Sequence, residues 1–178
     1  MKKILLGLSI LILSACTLGK SITPKERVKD FLDKYKNQDS EVMNDLEETV
    51  SSEYSGEFKE RYKTLMINQY KDLDYKITDE IIDGNNAIVS VDITVYDYSN
   101  ALTNASDYLK DHEKEFYKDD NKTIDNDKFL DYKLGLLEKV TDKKTYSIDF
   151  SLTKDENDWK LDSLSDADIK KIHGIYNE

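Results

Sequence analysis

Apolar residues recur at helical spacing through the N-terminal part of the chain. Thr23-Pro24-Lys25-Glu26 is a helix-start pattern, because Thr can cap, Pro suits the first helical position and Glu can complete a capping box. The apolar positions that follow are three and four residues apart in three successive segments, which begin at Thr23, near Ser40 and near Glu53. We therefore predict three helices, the third of which spans about Glu53 to Tyr70.

The period then changes to the alternation that is typical of strands. After a first alternating segment from Leu73 to Ile77, Asp83-Gly84-Asn85-Asn86 has the composition of a hairpin turn. Beyond the turn, every second residue from Ala87 to Val95 is apolar, which predicts one buried face of a long strand. The other face of the same predicted strand carries Ile88, Ser90, Asp92, Thr94, Tyr96 and Tyr98.

Helical spacing returns between about residues 101 and 140, first from Leu102 to Phe116 and again from Phe129 to Val140. A second hairpin is predicted next, because alternate residues from Tyr146 to Leu152 are apolar, and Ser165 can cap a last short helix. The order is three helices, a hairpin, a helical insert, a second hairpin and one helix. Helices grouped apart from antiparallel strands predict an α+β fold with the N-terminal helices packed on the sheet.

The first fifteen residues do not fit this pattern and predict a secretory signal. Lys2 and Lys3 precede an apolar run of about ten to twelve residues, which is too short for the about 20 residues of a membrane-spanning helix. Leu13-Ser14-Ala15-Cys16 resembles the lipobox of bacterial lipoproteins. The resemblance implies that residues 1–15 are removed and that Cys16 is lipidated. The alternative is an ordinary secreted protein with a stray cysteine near its cleavage site.

The lipobox resemblance also implies a location and a domain plan. Membrane lipid is the expected partner through Cys16, and residues 16–22 are the lipidated cysteine and a short tether. Residues 23–178 then form a single domain on the extracytoplasmic face of the cell membrane. Cys16 is the only cysteine in the chain, so we expect no disulfide within this domain.

Charge excludes one class of partner. The chain has a net charge of −11, and loss of Lys2 and Lys3 leaves 24 basic against 37 acidic residues, a net charge of −13. Nucleic-acid binding depends on clustered Lys and Arg that neutralise phosphates, so we expect no nucleic-acid partner.

The opening helix, Thr23 to Tyr35, and the closing strand, Asn157-Asp158-Trp159-Lys160-Leu161, resemble the nuclear transport factor 2-like, cystatin-like cone superfold, as found in many small lipoproteins. The resemblance implies a curved, cone-like sheet covered by helices, with a cavity between them. Some enzymes of this superfold use an Asp base and a Tyr donor in that cavity. The candidates here are the residues of the predicted strand faces Asp92, Tyr96, Tyr98 and Asp149. Alternatively, they lie on the solvent face of a half-buried sheet.

We predict no metal site and no cofactor. His112 and His173 are far apart in sequence, and neither has a partner at ligand spacing. Acidic and polar residues alternate from Asp119 to Asp127 as in a calcium loop, but Ile124 and Leu130 occupy the positions where an EF-hand has Gly and Glu.

Three functions follow as hypotheses. The first is a non-enzymatic module that binds an unknown protein, peptide or small ligand near the membrane, since no catalytic set can be assigned. The second is a small-molecule enzyme of the isomerase or dehydratase kind, with its chemistry in the cone cavity. The third is an accessory subunit of an envelope complex.

Overall fold

The computed structural model describes residues 22–177. Cys16, the predicted signal at residues 1–15 and the tether up to residue 21 lie outside the described residues. Within residues 22–177, no helix is both long enough and apolar enough to cross a membrane.

The described residues form six α-helices, a short 3-10 helix and one four-stranded sheet. In chain order the elements are α1 (Pro24–Lys36), α2 (Ser40–Glu53), α3 (Gly56–Lys71), β1 (Asp74–Asp83), β2 (Asn86–Tyr96), α4 (Tyr98–Asp111), the 3-10 helix (Glu113–Phe116), α5 (Asn126–Leu137), β3 (Lys143–Asp155), β4 (Asp158–Leu161) and α6 (Asp166–Ile172). The predicted α+β class, element order and helical insert between two hairpins are confirmed.

The predicted capping box starts α1. The Glu26 amide donates to Thr23 Oγ1 at 3.2 Å, and the Thr23 amide donates to Glu26 Oε2 at 2.8 Å, so two amides at the helix start are satisfied reciprocally. The predicted start of the third helix at Glu53 is wrong by three residues. Tyr54 is extended and Gly56 has a φ of +58°, so the chain bends between α2 and α3.

The strands are paired in the order β1-β2-β3-β4, and every pair is antiparallel. The predicted turn joins β1 to β2, and the register of β2 with β3 places Val89 beside Phe150 and Val91 beside Ile148. A bulge interrupts the β1–β2 register between Ile77 and Asp79. The sheet is curved, and the helices cover one of its faces.

The main core lies between the inner face of the sheet and α1, α2 and α3. The apolar residues of β2 predicted to face inward, Ala87 to Val95 at every second position, are all nearly inaccessible. They pack against side chains such as Leu32, Val50 and Tyr70. Burying each large apolar side chain contributes about 1.5–3 kcal/mol, so this layer supplies most of the driving force for folding. These residues form one contiguous cluster between the sheet and the helices.

The helical insert follows β2 and precedes β3, and its two ends lie next to each other. The Asp97 amide donates to the Asp142 carbonyl at 2.9 Å, which closes the insert at its base. Asp97 also caps α4, and its side chain accepts from the Asn100 amide. The prediction that Tyr98 continues the strand is therefore wrong: β2 ends at Tyr96, and Tyr98 is the first residue of α4.

A second, smaller core joins the insert to α3. Leu65 of α3 packs with Tyr98 and Ala101 of α4 and with Leu134 and Leu137 of α5. Met66 and Tyr70, which are also on α3, belong to the main core. The helix α3 therefore contributes buried residues to both cores. The two cores place α3 at the centre of the molecule, with the sheet on one side and the insert on the other.

Candidate functional site

A cavity of about 620 Å³ lies among the helices rather than between the helices and the sheet. Its lining residues come from the end of α2 and from α3, α4, α5, α6 and the segment after α6, and no strand residue is among them. Sites for small organic molecules typically measure about 300–1,000 Å³, so the volume suits a small-molecule ligand.

Most of the cavity wall is apolar. Aliphatic side chains of four helices and of the following segment line it: Leu65, Met66, Leu102, Leu137, Ile169 and Ile175. Such a surface favours an apolar ligand body, since apolar area removed from water stabilises binding at roughly 25 cal/mol per Å².

Three tyrosines add hydroxyl groups to this wall. The rings of Tyr54 and Tyr62 stack with their centroids 4.8 Å apart, and the Tyr98 hydroxyl donates to the Leu65 carbonyl at 3.3 Å. Burial raises the pKa of Tyr54 and of Tyr98 to about 12, and it raises the pKa of Tyr62 still further. All three are therefore protonated donors at neutral pH. Among the described residues, the Tyr54 and Tyr62 hydroxyls have no hydrogen-bond partner.

Lys133 of α5 also lines the cavity and is half-buried. In the part of the chain that the structure describes, its ammonium group makes no hydrogen bond and has no carboxylate oxygen within 4 Å. Burial lowers the pKa of Lys133, and the Glu53 carboxylate partly opposes this from beyond ion-pair distance. Burial likewise raises the pKa of Glu53. The wall thus holds a cation that is partly desolvated and not directly paired.

His173, which follows α6, is 1% exposed and lies between the cavity and the main core. Its Nε2 is 3.2 Å from the Tyr70 hydroxyl, whereas its buried Nδ1 has no hydrogen-bond partner among residues 22–177. Burial lowers the pKa of His173 to about 4, so the imidazole is neutral at neutral pH. One ring nitrogen is unsatisfied in either tautomer, because Tyr70 can pair only with Nε2.

Asp166 and Lys170 of α6 complete the lining and are exposed at its rim. They lie four residues apart on the same helix and carry opposite charges, which largely offset each other.

The structure separates Tyr98 from the other three residues that the sequence suggested as a site. Asp92 and Asp149 lie on the outer face of the sheet, where Ser147 Oγ donates to Asp92 at 2.7 Å and Ser90 Oγ donates to Asp149 at 2.6 Å. Tyr96 shares this face, and its hydroxyl donates to Asp72 Oδ2. Of the four, Tyr98 alone lines the cavity.

The acidic segment before α5 has structural roles. Asp125 caps α5 by accepting from the amides of Asp127 and Lys128. Asp120 accepts from the Thr123 hydroxyl and from the amides of Thr123 and Lys122. These hydrogen bonds lower the pKa of Asp120 to about 2. Across residues 22–177, no group of three or more His, Cys, Asp or Glu side chains is arranged to hold a metal ion.

Sequence reasoning missed the polar residues of the cavity, Lys133 and His173. A signal for Lys133 was present, because it lies three residues after Leu130 and four before Leu137 and so shares the apolar face of α5. No such signal marked His173, since its burial depends on Tyr70, which is about a hundred residues earlier in the chain.

Comparisons with protein-family models, with curated proteins and with solved structures find no match to this chain. The features that bear on its function are therefore the cavity and the sequence of residues 1–16, which predicts a secretory signal and a lipobox.

Proposed function

We propose that this protein is a lipid-anchored, extracytoplasmic binding module that holds a small, mainly apolar ligand in the cavity between α3, α4, α5 and α6. The observation that carries the proposal is the cavity itself. It has the volume of a small-molecule site, an apolar wall and a few polar groups, which is the usual composition of such sites.

The anchor part of the proposal is supported by the sequence before the described residues. The charged start, the short apolar run and Leu13-Ser14-Ala15-Cys16 together resemble a lipoprotein leader. The described domain begins with α1 at Pro24, eight residues after Cys16. A tether of that length spans at most about 30 Å, so a lipid on Cys16 would hold the domain, and its ligand, close to the membrane surface.

A binding module is preferred to an isomerase-like enzyme because of where the carboxylates lie. The enzyme hypothesis needs an Asp base inside the cavity, but Asp92 and Asp149 are on the opposite side of the main core, on the outer face of the sheet. Asp166 does line the cavity, yet it is exposed at the rim rather than buried against a reacting group.

Ligand binding can be tested with an uncharged apolar fluorescent probe, N-phenyl-1-naphthylamine. The full chain would be held in phosphatidylcholine nanodiscs, with empty discs measured in parallel to subtract partition into lipid. We expect saturable binding that Leu102→Trp weakens, because the larger indole occupies part of the cavity. The matched control, Ile82→Trp, changes an exposed apolar residue on β1 and should leave binding intact. Equal binding by both variants would place the probe elsewhere and contradict the proposal.

The anchor can be tested separately by fractionating cells that produce the full chain. We expect the protein in the membrane fraction with a diacylglyceryl group on Cys16, detected by mass spectrometry of the N-terminal peptide. Cys16→Ser should abolish the modification. An unmodified Cys16 in a correctly processed protein would contradict the anchor but not the cavity.

A further inference from the structure

The charges around the cavity do not cancel, and their imbalance indicates the chemistry of the ligand. Asp166 and Lys170 offset each other at the rim. Lys133 lies in the wall without a hydrogen bond or an ion pair among the described residues, and Glu53 acts on it only from beyond 4 Å. A partly buried cation is costly unless a hydrogen-bonded partner compensates it, so this position favours an anionic partner supplied by a ligand.

We propose that the cavity binds a single-chain amphiphile with a carboxylate head, such as a medium- or long-chain fatty acid, and that Lys133 pairs with the carboxylate. This inference rests on the proposed binding function and names its ligand class. The aliphatic wall accommodates the chain, and the unpaired hydroxyls of Tyr54 and Tyr62 are further donors in the same cavity.

The donor set fits one carboxylate better than a phosphate. Phosphate groups are typically held by the guanidinium fork of arginine or by several backbone amides. The two arginines of the chain are engaged elsewhere: Arg27 binds both carboxylate oxygens of Asp158, and Arg61 binds Glu138 and Asp131. One lysine with neutral hydroxyl donors matches a head group of a single negative charge.

The test compares two probes that differ only in the head group, radiolabelled dodecanoate and dodecanol. Equilibrium dialysis would measure their binding to the full chain in phosphatidylcholine nanodiscs, with empty discs subtracted. Charge-assisted hydrogen bonds typically change binding by about ten- to a hundredfold. We expect dodecanoate to bind more tightly than dodecanol by that factor, and Lys133→Met to remove the difference by weakening dodecanoate binding.

Two further variants show whether the preference for dodecanoate comes from Lys133 itself. Lys76→Met removes a cation from the exposed surface of β1, outside the cavity lining, and should leave the preference for dodecanoate intact. Glu53→Gln removes the acidic group that competes for Lys133 and should strengthen dodecanoate binding. A thermal unfolding curve for each variant checks that it is folded.

The outcomes separate this inference from the function on which it rests. Saturable binding of dodecanol with no preference for dodecanoate, or a preference that survives Lys133→Met, would overturn the inference and leave the cavity as a site for uncharged ligands. Weaker dodecanoate binding in Glu53→Gln would show that Glu53 does not compete with the carboxylate for Lys133 and would also overturn it. Absence of saturable binding of either probe would overturn the proposed function itself.

Discussion

Replacing His173 and Tyr70 together by Phe should remove a pH-dependent contribution to the stability of the fold. His173 is fully buried, and the Tyr70 hydroxyl is the hydrogen-bond partner of its Nε2. The double variant replaces an aromatic pair by another of similar shape and leaves no unpaired polar atom of this pair in the core. His173→Phe alone would leave the Tyr70 hydroxyl without its partner, at a cost of about 1–3 kcal/mol.

The magnitude follows from the two pKa values of the imidazole. Burial lowers the pKa of His173 from 6.5 to about 4. Each tenfold change in proton affinity corresponds to about 1.4 kcal/mol, so the shift is equivalent to about 3 kcal/mol of folding free energy.

The sign follows from which state binds the proton. Above pH 6.5 the His173 imidazole is neutral in both the folded and the unfolded state, so the full stability of the fold is retained. Between pH 6.5 and about 4 the unfolded chain takes up a proton that the folded protein does not, so stability falls as the pH falls. Below about pH 4 both states are protonated and the loss is complete.

The assay is urea unfolding of the wild type and of the double variant at several pH values between 7.5 and 4. Carboxylates such as Asp45, whose pKa burial raises, also make stability depend on pH, but they are common to both proteins and cancel in the difference. We expect the wild type to lose about 3 kcal/mol relative to the variant between pH 7 and pH 4. Parallel curves would refute the reasoning, because they would mean that His173 is not held neutral in the folded state.

Two other substitutions test the packing where β2, α3 and the segment after α6 meet, and a third, in α5, is a control. Gly174→Ala should destabilise by at least about 2 kcal/mol, because a Cβ there would overlap the Tyr96 carbonyl and the residue has a φ of +68°. Gly135→Ala is its matched control in α5, where a Cβ meets no atom within 4 Å, and it should stabilise by up to about 1 kcal/mol. Gln69→Leu should cost about 1–3 kcal/mol, since the buried amide accepts from the Tyr96 amide at 2.9 Å and donates to the Tyr96 carbonyl. Urea unfolding at pH 7 measures all three, and a Gly174→Ala as stable as Gly135→Ala would contradict the close approach at Tyr96.

Local sequence predicted those elements whose cause is local. The capping box at Thr23, the turn at Gly84 and the alternation from Ala87 to Val95 each depend on residues within a few positions of one another. The prediction failed at Tyr98 for a related reason: an aromatic residue continues the strand alternation, but Asp97 caps a helix and ends the strand. At Tyr98 the alternation predicts a strand and the Asp97 cap predicts a helix, and the structure has the helix.

The sequence by itself determined the class of the fold, the order of its elements and the buried face of β2, because hydrophobic period and turn chemistry act over short stretches of chain. The tertiary structure alone decided where the cavity lies and which polar groups line it. Tyr62, Lys133 and His173 are brought together by the packing of three helices against one another. Contacts between residues so far apart in the chain depend on how whole elements pack, and no local pattern encodes them.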